Sequence, residues 1–155
     1  MKSIKNLLLI AITIIASSAN AQSNLLLEDG VYYTEAKELV KGEHITYFEN
    51  GNKEAVYTLK NGVLNGQAIF FFEDGLKQEI GSYYEGDKDG TWTKWNKAGK
   101  KIAIVNYNKG NKDGNWLLWD DNGQKRYDIT YANGDKVGTW KMWDEKGKLV
   151  SEKIY

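Results

Sequence analysis

The side chains that most often carry out catalysis are scarce in this sequence. Its 155 residues include no cysteine and a single histidine, His44. Thiol catalysis, thiolate zinc sites, Ser-His pairs and histidine-based metal sites therefore have few residues to draw on. The adjacent carboxylates Asp120 and Asp121 fall at an expected hairpin turn, where solvated charge is normal. We expect a protein that is not an enzyme and has no catalytic residue.

Two acidic segments resemble the first residues of a calcium-binding loop, at 87–90 and 111–114. A complete loop of this kind has a bidentate glutamate at its twelfth position. The residues at that position here are Ala98 and Asn122. Asx-type turns account for both segments without a metal. We therefore expect no metal site and no cofactor.

Aromatic side chains are the main candidates for a binding surface. Six tryptophans and ten tyrosines could stack on sugar rings or anchor a protein partner. The candidate surface consists of Trp92, Trp95, Trp116, Trp119, Trp140, Trp143, Tyr83, Tyr107 and Tyr131. The alternative is that these residues pack between neighbouring hairpins, as aromatic cross-strand pairs commonly do in sheets.

The charge of the chain argues against a nucleic-acid partner. Lys and Arg total 21 and Asp and Glu total 21, so the formal net charge is zero, whereas nucleic acids require a basic face. The lysines, including Lys100, Lys101, Lys112, Lys125 and Lys136, alternate with acidic residues. This pattern is typical of a solvated rim.

Glycines and aromatic residues share one period of 24 residues. Fourteen of the sixteen glycines fall into three columns: Gly42, Gly66, Gly90, Gly114 and Gly138; Gly51, Gly75, Gly99, Gly123 and Gly147; Gly62, Gly86, Gly110 and Gly134. All six tryptophans lie two or five residues after a glycine of the first column. Spacing as regular as this indicates a repeat array.

Each unit has the pattern of a β-hairpin. Segments such as 91–95 and 101–107 are rich in aromatic and β-branched residues, and Asn-Gly or Asp-Gly in several units supplies the left-handed conformations of tight hairpin turns. One such hairpin cannot bury its own face, so the units must stack. We predict an all-β fold, an elongated single-layer antiparallel meander of about five stacked 24-residue hairpin repeats, at 42–65, 66–89, 90–113, 114–137 and 138–155. The two tryptophan columns should lie on opposite faces, which leaves one face partly exposed and available for binding.

The N-terminus has the composition of an export signal. Lys2 and Lys5 precede an apolar run at 7–16 that is too short to span a bilayer, and Ala19 and Ala21 have the spacing that signal peptidase recognises. We predict a cleaved signal peptide at 1–21, with an uncleaved membrane anchor as the alternative.

The predicted mature chain begins at Gln22, so it is not a lipoprotein, which would require cysteine at that position. We expect it to be periplasmic or secreted, with no transmembrane segment. Residues 22–41 depart from the period and are predicted to form a capping segment at the first edge of the array.

The columns resemble those of the MORN-repeat variant found in many bacterial exported proteins. The matching residues are Gly90, Thr91, Trp92, Trp95, Gly99, Lys100, Tyr107, Gly110 and Gly114, with their equivalents in neighbouring units. The resemblance covers 42–155. It implies short hairpins stacked into an elongated, twisted sheet and a role as a binding, scaffold or membrane-adjacent module. The lipid-headgroup binding proposed for some relatives would need a basic patch, and none stands out here.

Two functions fit this pattern. The first is a protein-interaction or scaffold module in the bacterial cell envelope, because an extended repeat surface suits partner docking. The second is a glycan- or cell-wall-binding module that uses the repeated Trp and Tyr columns, by analogy with other aromatic hairpin repeats. The predicted partner is accordingly another envelope protein or a cell-wall glycan. A ligand-free surface spacer is a third alternative.

Overall fold

The computed structural model describes residues 25–155. The predicted signal peptide at 1–21 and the first residues of the predicted capping segment lie outside the described residues. All the helices and strands that the structure describes within 25–155 are β-strands. They are β1 (Leu26–Glu28), β2 (Val31–Tyr33), β3 (Gly42–Tyr47), β4 (Lys53–Lys60), β5 (Val63–Phe71), β6 (Lys77–Tyr84), β7 (Asp87–Trp95), β8 (Lys101–Asn108), β9 (Asn111–Lys112), β10 (Gly114–Trp119), β11 (Lys125–Ala132), β12 (Asp135–Trp143) and β13 (Leu149–Ile154).

Strands β3 to β13 form one open antiparallel sheet in chain order. Each strand pairs with the next along the chain, except that β8 pairs with both β10 and the short strand β9. Strands β1 and β2 form a separate two-stranded sheet. The predicted all-β antiparallel meander of hairpins is confirmed.

Every hairpin of the large sheet contains a bulge at the same repeat position. Between β7 and β8, Lys94 pairs with Ala103 but Trp95 pairs with Lys101, so Ile102 is skipped. The residues skipped at the equivalent positions are Glu54, Gln78, Arg126 and Val150. Because the extra residue always lies on the second strand, the first strand keeps its alternation of side chains.

The alternation gives the sheet two distinct faces. Trp92 and Trp95 are three residues apart on β7, so their side chains lie on opposite faces. We call the face of Trp92, Trp116 and Trp140 the ring face, and the face of Trp95, Trp119 and Trp143 the open face.

The turns within the hairpins differ from the predicted ones. At residues 50 and 51, only Gly51 has a positive φ, 85°. The Asn50 side chain instead accepts a hydrogen bond from the backbone N–H of Asn52 at 2.9 Å. Turns with two left-handed residues occur between hairpins, as at Lys109 and Gly110, with φ of 46° and 82°. In a two-residue connection, turns of this kind match the right-handed twist of the two strands that they join.

The buried core lies on the ring face of the first repeats. Its members are Val40, Ala55, Tyr57, Leu59, Ala68 and Trp92. Leu25 and Tyr32 of the N-terminal segment pack against this cluster, and the Tyr32 N–H donates to the Gly62 carbonyl at 2.7 Å. Within residues 25–155, β3 pairs with β4 alone. The N-terminal segment therefore covers the ring face of the first repeats rather than their edge.

Candidate binding surfaces of the sheet

On the ring face, tryptophans and tyrosines of successive repeats contact one another in an aromatic ladder. Ring centroids are 5.0 Å apart in Tyr83–Trp92, 5.2 Å in Tyr107–Trp116, 5.4 Å in Trp116–Tyr131, 5.1 Å in Tyr131–Trp140 and 4.8 Å in Trp140–Tyr155. The first four pairs are edge-to-face, a geometry that stabilises aromatic pairs beyond the area they bury. Six of the nine predicted site residues thus belong to a packed ladder.

The indole N–H groups of the three ladder tryptophans all donate hydrogen bonds to backbone carbonyls of the sheet. Nε1 of Trp92 donates to the Ser82 carbonyl at 3.1 Å. Nε1 of Trp116 and Trp140 donate to the carbonyls of Asn106 and Thr130, at 2.8 and 3.0 Å. These bonds satisfy the polar atom of each ring and fix its orientation. The ring-face tryptophans therefore have a role in packing the sheet.

Lysine ammonium groups lie over the ladder at one repeat position, which holds lysine three times in succession. Nζ of Lys88 is 3.7 Å from the Trp92 ring centroid, Nζ of Lys112 is 4.7 Å from that of Trp116, and Nζ of Lys136 is 4.6 Å from that of Trp140. All three distances are within the range of cation–π attraction. Lys112 and Lys136 are exposed, as predicted for a solvated rim, and their ammonium groups in addition lie over aromatic rings.

Burial raises the pKa of the phenols near the core. Desolvation raises the pKa of Tyr57 to about 12, with smaller contributions from Tyr32 and Glu54. Desolvation, aided by Glu79, also raises the pKa of Tyr83 and of Tyr107. These hydroxyls stay protonated at neutral pH, and the three rings belong to the buried cluster or pack against it.

The open face carries the other three predicted site residues, Trp95, Trp119 and Trp143. Each side chain is half-buried, and in residues 25–155 no hydrogen-bond acceptor contacts its indole N–H. Lys125 lies over the Trp143 ring, 5.5 Å from its centroid. These tryptophans are outside the aromatic ladder and keep a donor available.

A register row of residues that are apolar except for one threonine runs across the open face. The row consists of Ile45, Val56, Ile69, Ile80, Thr93, Ile104 and Leu117. Beyond Leu117 the same row continues through Asp128, Lys141 and Glu152, so it becomes charged in the last repeats. The hairpin of β1 and β2 packs toward the ring face, so no other strand of the described chain covers this row.

Beside this row lies a depression of about 520 Å³. Phe72, Gln78, Trp95 and Ile102 line it, with Lys97 and Asp121 also at its surface. A second depression of about 390 Å³, lined in part by Phe48 and Phe71, shares Phe72, Gln78 and Lys97 with it. Together they form a shallow aromatic groove across the first three repeats.

Phe72 and Ile102 line this groove but lie outside the predicted site residues. Phe72 follows the last residue of β5, outside the columns that carry tryptophan. Ile102 reaches Trp95 because of the bulge between β7 and β8. An alternating sequence pattern does not show where a bulge lies. The run Phe70-Phe71-Phe72 could have indicated the apolar groove.

The described residues contain no group suited to metal binding. Within 25–155, no three His, Cys, Asp or Glu side chains come together at a distance that could hold an ion. His44 stacks on Tyr57, with ring centroids 6.3 Å apart, so it contributes to packing.

Among residues 25–155, no helix could span a membrane.

Residues 112–133 and 136–155 match the family model described as MORN repeat variant. The resemblance is confirmed for these segments, which cover β10 to β13. MORN repeats are generally non-catalytic modules for binding or scaffolding. No curated protein matches the chain.

Proposed function

We propose that this protein is an exported, non-catalytic scaffold of the bacterial cell envelope that docks a partner protein on its open face. The observation that carries the proposal is the uncovered groove around Phe72, Trp95 and Ile102. Contiguous apolar surface left open on a soluble domain commonly marks an interaction site. Aromatic side chains in such a surface supply much of the binding energy of protein interfaces.

The chemistry of the groove suits bulky apolar side chains of a partner. Phe72 and Ile102 offer apolar contact, and the Trp95 indole N–H is available to a carbonyl oxygen. Lys97 and Asp121 lie at the same depression and carry opposite charges. Charged groups at the border of an apolar patch orient a partner more than they strengthen its binding.

Crosslinked capture from the native envelope, followed by binding measurements with the purified partner, tests the docking proposal. Trp95→Ala and Phe72→Ala should each weaken binding roughly tenfold or more, as truncation of an interface anchor does. Leu149→Ala is the matched control, because Leu149 is an apolar residue that is 42% exposed on β13, away from the groove. That variant should bind as the parent chain does.

Two outcomes would overturn the docking proposal. One is a folded Trp95→Ala/Phe72→Ala double variant that binds the partner at full affinity. The other is recovery of the chain with purified peptidoglycan and with no envelope protein, which would favour the glycan-binding alternative.

Export has its own test, because the relevant residues lie outside the described part of the chain. The basic start at Lys2 and Lys5 and the alanines at 19 and 21 support cleavage before Gln22. Intact-mass analysis of protein recovered from the cell should give a chain that begins at Gln22, located outside the cytoplasm. Recovery of the uncleaved chain in the cytoplasm would contradict export.

A further inference from the structure

The ring face of the last two repeats presents fixed positive charges. Nζ of Lys112 lies between two rings, 4.7 Å from the Trp116 centroid and 4.9 Å from that of Tyr131. Nζ of Lys136 lies 4.6 Å from Trp140 and 5.2 Å from Tyr155. The rings thus hold each ammonium group in place, which reduces the side-chain entropy that a ligand would have to remove.

These cations lack the carboxylate that their equivalent in the preceding repeat has. Lys88 forms an ion pair with Glu79 at 2.8 Å. Within residues 25–155, no carboxylate lies within ion-pair distance of Lys112, Lys136 or Lys153. The Lys153 ammonium lies 4.6 Å from the Tyr155 centroid, so it extends the same charged surface.

The neighbouring acidic residues form no ion pair with these lysines. Asp113 accepts a hydrogen bond from the backbone N–H of Asn133 at 3.0 Å, which engages it in the turn between hairpins. Asp135 adjoins Lys136 on β12 and therefore lies on the opposite face. On the open face, Glu152 lies 3.8 Å from Lys141. Within residues 25–155, the ring face of the last repeats therefore presents three lysine ammonium groups that form no ion pair.

The charges recur at a regular distance. Lys112 and Lys136 occupy equivalent positions in consecutive repeats, so they are two strand spacings apart, about 10 Å. An extended disaccharide unit of a β-linked polysaccharide has nearly this length. Its sugar rings have apolar C–H faces that pack well against aromatic side chains.

We propose that Lys112, Lys136 and Lys153, with the aromatic rings beneath them, bind a linear acidic polysaccharide that carries one carboxylate per disaccharide. Each carboxylate pairs with one ammonium group, while the pyranose between them contacts the ladder around Tyr131 and Trp140. The surface is on the face opposite Trp95, so it does not depend on the proposed docking function.

An acidic peptide fits this surface less well than an acidic glycan. The backbone groups of β11 and β12 pair with each other and with their neighbours, and the indole N–H groups of Trp116 and Trp140 donate to backbone carbonyls. A peptide lying across these strands would therefore bury amide groups without partners. A polysaccharide can direct its hydroxyl groups to water.

Calorimetric titration with hyaluronan oligosaccharides tests the proposal, because they alternate glucuronate with a neutral sugar. Neutral N-acetylglucosamine oligomers and polyglutamate serve as comparison probes. Hyaluronan should bind at low ionic strength and weaken as salt is added, whereas the neutral oligomers should not bind. Lys112→Gln and Lys136→Gln should each lower affinity roughly three- to fivefold, and Lys112→Arg should keep it.

The matched control replaces Lys146 and Lys148, which lie in the turn before β13, with glutamine. This double variant removes two positive charges away from the rings and should retain hyaluronan affinity, with thermal unfolding confirming that every variant is folded. Equal loss in the control variant, equally tight binding of polyglutamate, or no hyaluronan binding at low salt would each overturn the proposal. Trp95→Ala should leave hyaluronan binding unchanged, which separates this outcome from that of the docking proposal.

Discussion

Gly81 lies directly against the indole of Trp92, so close that a Cβ on Gly81 would fall 2.1 Å from Cδ2 of the ring. The missing side chain lets the indole lie against the sheet, where Trp92 is 1% exposed. The positions equivalent to Gly81 beside Trp116 and Trp140 hold Val105 and Ile129, and both of these tryptophans are only half-buried. The absence of a side chain at Gly81 therefore contributes to the burial of Trp92 in the core.

Gly81→Ala should destabilise the fold through this contact. The methyl group would overlap the indole and force Trp92 out of position, an overpacking effect that costs roughly 1–3 kcal/mol of unfolding free energy. Urea denaturation followed by circular dichroism measures the change. Combining the substitution with Trp92→Leu removes the obstructing ring, so the double variant should lose less than the sum of the two single losses. Additive losses would show that the Gly81 methyl group does not act through Trp92.

The glycine columns were sufficient to predict the repeat, the hairpins and the opposite faces of the two tryptophan columns. They could not show which tryptophans pack and which stay open, because the columns beside them change from repeat to repeat. Gly81 is one of two glycines outside the columns, together with Gly30. The position of Gly81 outside the columns was the one sequence feature that could have indicated that Trp92 is packed differently from Trp116 and Trp140.

The candidate sites depended on features that alternation does not encode. The bulge at Ile102 brings that residue to Trp95, and the groove with Phe72 follows from where β5 ends. Alternation along β12 places Lys136 on the same face as Trp140, but it does not show that the ammonium group lies over the ring. Such contacts depend on three-dimensional register and not on local composition.

The two tryptophan columns should respond differently to the same substitution. Trp92→Phe leaves the Ser82 carbonyl without its indole donor and opens a space in the core, so it should cost roughly 1.5–3 kcal/mol of unfolding free energy. Trp95→Phe, at a half-exposed ring with no such bond, should cost less than about 1 kcal/mol. Urea denaturation of both variants gives the comparison. Equal losses would mean that the open-face tryptophan is as important for packing as the core one.

Alkaline pH should unfold the protein partly through Tyr57. Its pKa is about 12 in the folded state because of burial, against about 10 in an unfolded chain. Below pH 10 both states hold the proton, so the stability is fully present. As pH rises from 10 to 12 the unfolded state loses the proton first, and stability falls. Denaturation midpoints across this range should fall less steeply in Tyr57→Phe, and an unchanged slope would exclude Tyr57 as a source of the effect.

Glu85 occupies a left-handed position, with φ of 50°, in the two-residue turn that precedes β7. Two of the three equivalent turns hold asparagine at this position, Asn61 and Asn133, with φ of 51° and 49°, and the third holds Lys109. Asparagine tolerates this conformation better than glutamate does. Glu85→Asn should therefore raise the unfolding free energy by roughly 0.5 kcal/mol. The reciprocal control, Asn133→Glu, should lower it by a similar amount. Thermal and urea denaturation measure both changes. A decrease for Glu85→Asn, or the same sign for the two variants, would show that left-handed backbone strain does not set the stability of these turns.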